Sequence, residues 1–549
     1  MPPLIECVPN FSEGRDPVLI GKITDAIGAV AGVRLLNVDP GHATNRTVVT
    51  FVGHPDAVIE AAFRGIRTAA GLIDMRTHRG EHPRMGATDV CPLIPVSGIT
   101  MDETVEYARR LGERVGRELQ VPVYLYEAAQ PDRARSNLAA IRAGEYEGLA
   151  RKIVTPEWRP DFGPAEFNAR SGATVIGARD FLVAYNVNLN TTSTRRANAL
   201  AFDVREAGRT VKDAAGRDVV QPGTLKAVKA IGWYIAEYGI AQVSMNLTNL
   251  NVTPLHVAFD EVCRAAAKRG IRVTGSELVG LVPLGCLLDA GRYFLEKQQR
   301  STGISERELV RIAVRSLGLD DLAPFKPEER VIEYLLKDPA GAQLANMSLA
   351  TFMAETASES PAPGGGSIAA YVGALGAALG TMVANLSSHK RGWDERWKEF
   401  SDVAEQGQRH AQELLHLVDE DTRAFTRVMA AMALPKATDE DKIARKAAIQ
   451  EATRDATEVP FRVMETAFAS MAVIKAMAET GQESSVSDAG VGALCARAAV
   501  MGAFLNVRIN AKQLTDRAFA GDIVTRGARL EQQAQALEAE ILGVVNRKI

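Results

Sequence analysis

The strongest constraint on the fold is a change in the sequence pattern near residue 340. Before it, short apolar segments alternate with amphipathic helical segments, which is typical of α/β and α+β domains. From residue 348 onward, nearly every segment has helical periodicity, interrupted only at Pro and Gly clusters. The chain has 549 residues, which is too many for one hydrophobic core. The sequence therefore predicts a multidomain α+β protein in which two α/β subdomains precede an all-α helical bundle.

The same pattern places the domain boundaries. The two α/β subdomains are predicted at residues 1–178 and 179–326, followed by a linker at 327–347 and the helical domain at 348–549. Neither α/β part contains a G-x-G-x-x-G or G-K-[ST] loop. A dinucleotide-binding or P-loop enzyme is therefore not indicated.

Composition argues against several other classes of function. The formal net charge is −3, so we expect no binding of nucleic acid or of an anionic membrane. The five cysteines contain no C-x-x-C pair, which favours neither a metal site nor a disulfide framework. The N-terminal residues lack the basic and apolar regions of a signal peptide. We therefore expect a cytoplasmic protein with reduced cysteines and no bound metal.

One stretch, residues 368–386, contains no charged residue and has the length of a membrane span. It is, however, crowded with small residues at helical spacing, including Gly373, Gly376 and Gly380. Small residues on one face allow a neighbouring helix to approach closely. The sequence favours a tightly packed central helix of the bundle over a membrane helix.

Asp421 is the candidate acid of the helical domain. It follows Leu414 and Val418 and precedes Phe425 and Met432 on a stripe with alternating steps of four and three residues, which predicts a core position. A buried carboxyl group has a raised pKa and can act as a general acid near neutral pH. The alternative is a salt bridge to a neighbouring helix.

Two further positions in this domain are candidates for ligand contact. Gly365 lies in a Pro-Gly-Gly-Gly-Ser loop, whose backbone N–H groups at a helix start can bind a carbonyl or carboxylate. A simple structural kink explains that loop equally well. Asn510 lies on an apolar stripe with Val507 and Leu514, either as a ligand contact or as an interhelical hydrogen bond.

In the first subdomain, residues 80–90 (GEHPRMGATDV) concentrate chemically active side chains in a predicted loop. His82 is the natural proton shuttle, because the ordinary pKa of histidine lies near neutrality, and Pro83 restricts its backbone. Arg84 can hold a substrate carboxylate, and Asp39, at the end of a predicted strand, can orient the imidazole. The alternative is a solvated surface loop. The apolar run that follows contains two prolines, so it is predicted to be an edge strand or an extended segment.

Two predicted strands of the second subdomain carry rows of carboxamides. Alternation places Asn186, Asn188 and Asn190 on one face of the first strand. The second strand, at 241–248, repeats the pattern with Gln242 and Asn246. Amides donate and accept hydrogen bonds at once, so two such faces, one in each half of the subdomain, suggest a ligand-binding groove. The alternative is an ordinary solvated sheet face.

Six motifs resemble the formimidoyltransferase-cyclodeaminase family in order and spacing over nearly the whole chain. They are residues 7–14 (CVPNFSEG), 80–86 (GEHPRMG), 161–164 (DFGP), 230–234 (AIGWY), 280–284 (GLVPL) and 362–367 (APGGGS). The resemblance implies a folate enzyme of histidine degradation, with a two-subdomain transferase part and a helical, dimerising cyclodeaminase part. It also implies tetrahydrofolate, in polyglutamylated form, as substrate and carrier, and a homodimer or higher homo-oligomer through the helical domain.

The resemblance further assigns roles to residues. It implies that His82 is the acid/base of formimino transfer and that Asp421 is the proton donor of cyclodeamination. The folate-binding segment corresponds to Gly163, Pro164, Ala165, Glu166, Phe167, Asn168, Ala169, Arg170, Ser171 and Gly172.

The implied reactions are formimino transfer from N-formimino-L-glutamate to tetrahydrofolate, then closure to 5,10-methenyltetrahydrofolate with release of ammonia. One rival is a glutamate formyltransferase; the helical domain argues against it, because ring closure with ammonia loss serves only the formimino product. The other rival is a folate-binding scaffold with inactive sites, which the presence of both His82 and Asp421 disfavours.

Overall fold

The structure is a computed structural model that describes residues 3–42, 44–80, 83–336 and 344–549. The chain forms two compact units. Unit 1 contains the residues up to Leu284 together with Leu319–Leu336, and unit 2 contains Gly285–Gly318 and the helical residues that follow the linker. The helix pair at 285–318 thus groups with the bundle, although the sequence assigns it to the second α/β subdomain. The domain boundaries stay a prediction, and linker residues 337–343 lie outside the described residues.

The first part of unit 1 alternates strands and helices, as the sequence predicts. Its elements are β1 (Leu4–Cys7), β2 (Asn10–Phe11), α1 (Pro17–Gly28), β3 (Val33–Gly41), β4 (Arg46–Gly53), α2 (Pro55–Leu72), β5 (Thr88–Ser97), α3 (Met101–Leu119), β6 (Val123–Glu127), α4 (Leu138–Arg142), α5 (Glu145–Lys152) and β7 (Thr174–Ala178). Among the described residues, seven strands form one sheet in the order β3-β4-β1/β2-β5-β7-β6.

The two faces of this sheet have different partners. Ile5 and Cys7 point to the face on which α1, α2 and α3 form the main hydrophobic core. Near β5, β6 and β7, the opposite face packs against α4 and α5 through Tyr124 and Leu149. Because successive side chains of a strand point to opposite faces, Glu6 lies on the face opposite α1–α3. Polar residues on that face are considered below.

The proline-containing run is strand β5, and it lies inside the sheet, so the edge-strand prediction is wrong. β5 pairs with β1 and β2 on one side and with β7 on the other. Pro92 still uses its carbonyl, which accepts from the Val8 N–H group at 3.2 Å. Pro95 faces Ile5 beside a register shift at Leu4, so no ladder N–H group is required there.

The second part of unit 1 is a smaller sheet with helices on one face. Its elements are β8 (Val183–Leu189), α6 (Thr194–Val204), β9 (Arg209–Lys212), β10 (Asp218–Gln221), β11 (Val228–Ile235), β12 (Ile240–Leu247), α7 (Leu255–Ala267) and β13 (Val273–Val279). In the described part of the chain, the sheet order is β11-β12-β8-β13, and β9 pairs with β10 separately. The next helices in the sequence, α8 (Leu284–Lys297) and α9 (Glu306–Leu317), group with unit 2, whereas α10 (Pro327–Arg330) and α11 (Ile332–Leu336) belong to unit 1.

Unit 2 is helical, which confirms the predicted fold class. Within residues 344–549 the α-helices are α12 (Leu349–Thr356), α13 (Gly365–Ser388), α14 (Trp397–Ala433), α15 (Asp439–Thr480), α16 (Val486–Ala511) and α17 (Arg517–Lys548). The side chain of Asp516 accepts from the Phe519 N–H group at 3.0 Å and caps the N-terminus of the last helix.

α13 is the central helix of the bundle, as its small residues predict. It packs against α14, α15 and α16. A Cβ atom on Gly376 would meet the backbone of α16 at 2.9 Å, and one on Gly380 would meet Ile474 of α15 at 3.0 Å. By length and hydropathy, two described helical segments, Gly365–Ser388 and Glu483–Ala511, could cross a membrane. At least half of the most apolar window of each is buried in unit 2, as in the core helices of a bundle.

Candidate active sites

The predicted folate segment lies beside the chain that follows His82. His82 itself and Glu81 lie outside the described residues. Immediately after them, Gly86 forms an antiparallel bridge with Gly172, and the Ala87 N–H group donates to the Ser171 carbonyl at 2.8 Å. Gly172 has a φ of +66°, and a Cβ atom there would overlap the Met85 carbonyl oxygen. Only glycine allows this close approach of the two segments.

Both ends of the folate segment are fixed to the scaffold. Gly163 has a φ of +80°, and a Cβ atom there would lie 2.6 Å from the Val121 carbonyl oxygen. At the other end, the Asn168 side chain accepts from the Ser171 N–H group at 2.9 Å, and the Gly172 N–H group donates to the Asn168 carbonyl at 2.7 Å. The backbone of the segment is therefore held in place from inside the subdomain.

The middle of the segment is more accessible. Phe167 is half-buried and its ring lies 5.4 Å from that of Tyr146, whose hydroxyl group donates to the Ala169 carbonyl. Five residues of the segment are exposed: Gly163, Ala165, Glu166, Ala169 and Arg170. Pro164 is half-buried, whereas Ser171 and Gly172 are buried. The exposed side chains, rather than the buried end at residues 171–172, are available to a ligand.

A row of polar side chains crosses the sheet on the face opposite α1–α3. In the strand register Asp39 faces Val48, Val48 faces Asn10, and Asn10 faces Val90, so all four lie on one face. Arg46 lies two residues before Val48 on β4 and therefore on the same face. Asp39 is exposed, whereas Asn10 is 4% exposed. Sequence reasoning proposed Asp39 but missed Asn10 and Arg46; the signal was the asparagine in the 7–14 motif.

Two atoms in this row have no hydrogen-bond partner among the described residues. Asn10 Nδ2 donates to the Val8 carbonyl at 2.8 Å, but Asn10 Oδ1 and Arg46 Nε are buried without a hydrogen bond within the described part of the chain. Burial lowers the pKa of Arg46 to about 10, although Asp89 and Asp39 oppose the shift. On the same face, burial raises the pKa of Glu6 to about 7, against the opposing effect of Arg179.

Arg84 is already engaged by protein groups, so the geometry does not favour its predicted role as a substrate ligand. Its guanidinium group is buried and forms a two-point ion pair with Glu147 at 2.6 and 2.8 Å. It also donates to Glu145 at 3.0 Å and to His78 Nδ1 at 3.4 Å. His78 Nε2 lies 2.9 Å from the Asn45 carbonyl, and burial lowers the pKa of His78. Arg84 thus ties the loop to α5.

The carboxamide rows are on one face, as alternation predicts, but they lie on neighbouring strands of one sheet rather than in two halves. Gln242 faces Asn188 in the register of β12 and β8. Gln242 Nε2 donates to Asn188 Oδ1 at 2.8 Å, and Asn188 Nδ2 donates to Asp321 at 2.9 Å. Asn190 Oδ1 accepts from the Arg272 N–H group at 2.8 Å. These amides hold one another and the sheet together.

In unit 2, Asp421 belongs to α14, and its carboxylate lies beside the first turn of α13. Ser367 Oγ donates to Asp421 Oδ2 at 2.9 Å, and Ser367 itself is fully buried. A Cβ atom on Gly366 would overlap the Asp421 carboxylate, so the glycine makes room for it. Burial raises the pKa of Asp421, and hydrogen bonds from the side chain and backbone of Ser367 oppose that shift. No charged side chain contributes among the described residues, so the salt-bridge alternative finds no support.

The predicted core stripe ends at Asp421. Leu414 and Val418 are fully buried, but Phe425 and Met432 are each 41% exposed, so their predicted core positions are wrong. The reason is geometric: α13 begins beside Asp421, and the later turns of α14 extend past its end. Asp421 therefore lies at the edge of the core, half-buried and reachable from solvent.

The other two bundle candidates have different surroundings. A Cβ atom on Gly365 would lie 3.6 Å from Asn506 Nδ2, so this part of the loop faces α16. Asn510 Nδ2 donates to the Ala456 carbonyl of α15 at 2.6 Å. Ala456 is four residues before Pro460, which has no N–H group to offer that carbonyl. Asn510 therefore forms the interhelical hydrogen bond, one of the two predicted alternatives.

The two regions support acid–base chemistry on a small ligand. One combines the loop after His82 with a polar sheet face, and the other holds a single carboxyl group with a raised pKa. No group of three or more His, Cys, Asp or Glu residues suited to a metal ion occurs among the residues that the structure describes.

Comparison with known proteins covers both regions. Three family models match: residues 4–179 (formiminotransferase domain, N-terminal subdomain), 184–337 (formiminotransferase domain) and 348–528 (formiminotransferase-cyclodeaminase). Formimidoyltransferase-cyclodeaminase of Rattus norvegicus is 46% identical over 544 residues, with 99% of each chain covered.

Two shorter relatives correspond to parts of the chain. Glutamate formimidoyltransferase of Thermoplasma acidophilum is 46% identical over 317 residues, covering 56% of this chain and 98% of its own. Methenyltetrahydrofolate cyclohydrolase of Methylorubrum extorquens is 40% identical over 204 residues, covering 37% of this chain and 98% of its own. The resemblance inferred from the six motifs is confirmed, and the chain belongs to the formimidoyltransferase-cyclodeaminase family of folate enzymes.

Proposed function

We propose that this protein transfers the formimino group of N-formimino-L-glutamate to tetrahydrofolate and then cyclises the product to 5,10-methenyltetrahydrofolate with release of ammonia. The observation that carries the proposal is the presence of a transferase part and a cyclodeaminase part in one chain. The rat formimidoyltransferase-cyclodeaminase matches 99% of its length. The described residues that follow His82 in the sequence and those around Asp421 support the two steps in turn.

In the first step, N5 of tetrahydrofolate attacks the amidine carbon of formiminoglutamate and gives a tetrahedral adduct. His82 takes the proton from N5 and returns it to the departing glutamate nitrogen. Support comes from the neighbourhood: the chain after His82 is hydrogen-bonded to the folate segment through Ala87 and Ser171. Arg84 acts here as a positioning residue, because its ion pairs fix the loop.

In the second step, N10 attacks the formimino carbon, and the nitrogen leaves as ammonia once it is protonated. Asp421 supplies this proton, which requires a carboxyl group that is protonated near neutral pH. Burial raises the pKa of Asp421, and the bond from Ser367 holds the carboxyl group in one orientation. The exposed Phe425 and Met429, one and two turns further along α14, offer an apolar surface for the pterin ring.

We extend the proposal to the carrier, the assembly and the compartment. The carrier is polyglutamylated tetrahydrofolate, because exposed Arg170 in the folate segment can pair with a glutamate carboxylate. The assembly is a homodimer through unit 2. An exposed apolar stripe on α13 and α16 supports it: Leu375, Met382, Leu386, Val491, Leu494 and Leu505. None of the five cysteines, all of which the structure describes, forms a disulfide, which fits a reducing cytoplasm.

The test mixes the protein with tetrahydrofolate and formiminoglutamate and follows ammonia and the absorbance of methenyltetrahydrofolate. We expect both products in equal amounts. A matched reaction with formylglutamate tests the rival formyltransferase, which would consume that substrate and release no ammonia. If neither substrate reacts although tetrahydrofolate binds, the chain is a folate-binding scaffold and the proposal is wrong.

A further inference from the structure

Two residues in neighbouring rows of one sheet face of unit 1 each have a buried polar atom without a hydrogen-bond partner among the described residues. Asn10 Oδ1 accepts nothing, and Arg46 Nε donates to nothing, within the described residues. Asn10 faces Val48 on β4, and Arg46 is two residues from Val48 on that strand. Two residues of a strand span about 6.6 Å, so the two side chains belong to neighbouring rows on the same face.

The orientation of Asn10 is fixed from behind. Its Nδ2 group donates to the Val8 carbonyl at 2.8 Å. This bond directs Oδ1 away from the connection between β1 and β2. The side chain is 96% buried, since only 4% of its surface is exposed. Buried acceptors in proteins nearly always have a donor, so a buried amide oxygen without one calls for a missing partner.

Arg46 has the complementary feature, which is an unused hydrogen-bond donor. Its Nε–H group is buried and unused, whereas nearby Asp89 is paired with Arg142 and with the Met85 N–H group. Asp39 is the next charged group on the same face, but it is exposed and no ion pair joins it to Arg46 in the described part of the chain. Within the described part of the chain, Arg46 thus forms no ion pair with a carboxylate.

We propose that Asn10 and Arg46 form a substrate-binding subsite that takes an N–H group lying next to an acceptor oxygen. Asn10 Oδ1 accepts the ligand N–H group, and Arg46 Nε donates to the ligand oxygen. The subsite rests on the proposed transferase function and is distinct from His82, which moves protons. It adds to the site two side chains on rigid strands rather than on the loop.

Each substrate of the transferase carries such a pair of groups. The pteridine ring of tetrahydrofolate has a lactam N–H group beside a carbonyl oxygen. Formiminoglutamate has amidine N–H groups near a carboxylate. The shared chemistry defines the subsite, and separate titrations of the two ligands distinguish which of them occupies it.

The experiment compares Asn10→Leu and Arg46→Met with wild type in the full-length chain. We expect the KM or the equilibrium Kd of one substrate to rise at least tenfold in both variants, while the other substrate changes less than twofold. Arg46→Lys keeps the charge but lacks the Nε–H group, and its value should lie between. Arg34→Met is the matched control, because Arg34 is exposed on neighbouring β3, where it faces Val52 of β4.

A second measurement separates ligand binding from a structural role. Without ligand, Arg46→Met should unfold at the same or a higher temperature than wild type, because it removes an uncompensated buried group. With a saturating substrate, wild type should gain thermal stability and the variant should not. Unchanged KM and Kd for both substrates, or a loss of ligand-free stability with normal binding, would overturn the subsite.

The outcomes also separate the subsite from the proposed function. If wild type turns over and the variants bind both substrates normally, only the subsite is wrong. If wild type does not transfer a formimino group from formiminoglutamate, the proposed function is wrong. Binding of tetrahydrofolate to wild type and Arg46→Met then still decides the subsite.

Discussion

The two candidate sites hold their polar groups in opposite ways. In unit 1, Asn10 Oδ1 and Arg46 Nε are buried on a sheet face, and neither has a hydrogen-bond partner among the residues that the structure describes. In unit 2, Asp421 is half-buried and already accepts hydrogen bonds from Ser367 at the start of α13. The first site has groups that a ligand must satisfy, whereas the second has a group that the protein itself satisfies.

The difference follows from the two architectures. A sheet face presents side chains in fixed rows, so unsatisfied atoms can be aligned for a ligand of matching shape. A helix bundle leaves little space for polar atoms, so its acid lies where one helix begins and a glycine makes room. We therefore expect unit 1 to provide binding specificity and unit 2 to control the single proton of ring closure. The predictions below test this contrast.

The largest effect is expected for Asp421→Asn. The amide keeps the shape of the side chain but cannot release a proton, so cyclodeamination should fall by about 10²–10⁴-fold. Formimino transfer and thermal unfolding should stay near wild type, and 5-formiminotetrahydrofolate should accumulate. The measurement is methenyltetrahydrofolate absorbance after complete transfer. A near-normal rate would leave Asp421 with a structural role only.

An equally large effect on the other reaction is expected for His82→Ala. Loss of a positioned acid/base should reduce formimino transfer by about 10²–10⁴-fold. Cyclodeamination of supplied 5-formiminotetrahydrofolate should be unchanged, because Asp421 is untouched. His78→Gln is the comparison variant, because His78 is a buried histidine whose Nε2 is hydrogen-bonded to the Asn45 carbonyl. If both reactions fail in a folded His82→Ala variant, the two sites do not act independently.

The contrast also explains what the sequence could predict. Alternation in a strand and small residues in a helix are local patterns, so the faces of β8 and β12 and the packing of Gly376 could be predicted. The partners of a side chain are tertiary facts. The sequence suggests Arg84 as a substrate ligand, but the structure shows that Glu145 and Glu147 of α5 bind it. Nothing in the sequence shows that Asn10 Oδ1 has no donor among the described residues.

Other errors have the same origin. Phe425 and Met432 fit a core stripe by spacing, but α13 begins beside Asp421 and cannot cover them. β5 contains two prolines and still lies inside the sheet, because the pairing partners tolerate the missing N–H groups. Spacing fixes which face a side chain occupies, and only the packed neighbours decide whether that face is covered.

A smaller effect is expected for Glu6→Gln in unit 1. Burial raises the pKa of Glu6 from 4.5 to about 7. The folded state therefore holds this proton more tightly than the unfolded state, so stability falls as pH rises from about 4.5 to about 7 and then levels off. At pH 8 this pKa shift lowers the free energy of unfolding by about 3 kcal/mol relative to its value below pH 4.5.

Glu6→Gln removes this penalty. The variant should unfold at a higher temperature than wild type at pH 8, with the difference vanishing towards pH 4.5. Calorimetric unfolding at both pH values measures it, with exposed Glu157→Gln as the control. An equal gain at both pH values would show that the charge of Glu6 is not the cause.

The smallest effect is expected for Asn510→Ala, and it tests whether the second polar position of the bundle is structural. Asn510 donates to the Ala456 carbonyl at 2.6 Å, which Pro460 leaves without its helical N–H group. Removing the amide should therefore lower the free energy of unfolding of unit 2 by about 1–3 kcal/mol. Pro460→Ala supplies the missing N–H group, so in that variant Asn510→Ala should lower the free energy of unfolding much less.

Asn506→Ala is the control, because Asn506 Nδ2 donates within its own helix, to the Gly502 carbonyl at 3.1 Å. If Asn510→Ala instead abolishes cyclodeamination with little change in stability, and Pro460→Ala does not rescue it, the amide contacts the folate, and Asp421 is not alone in handling the substrate.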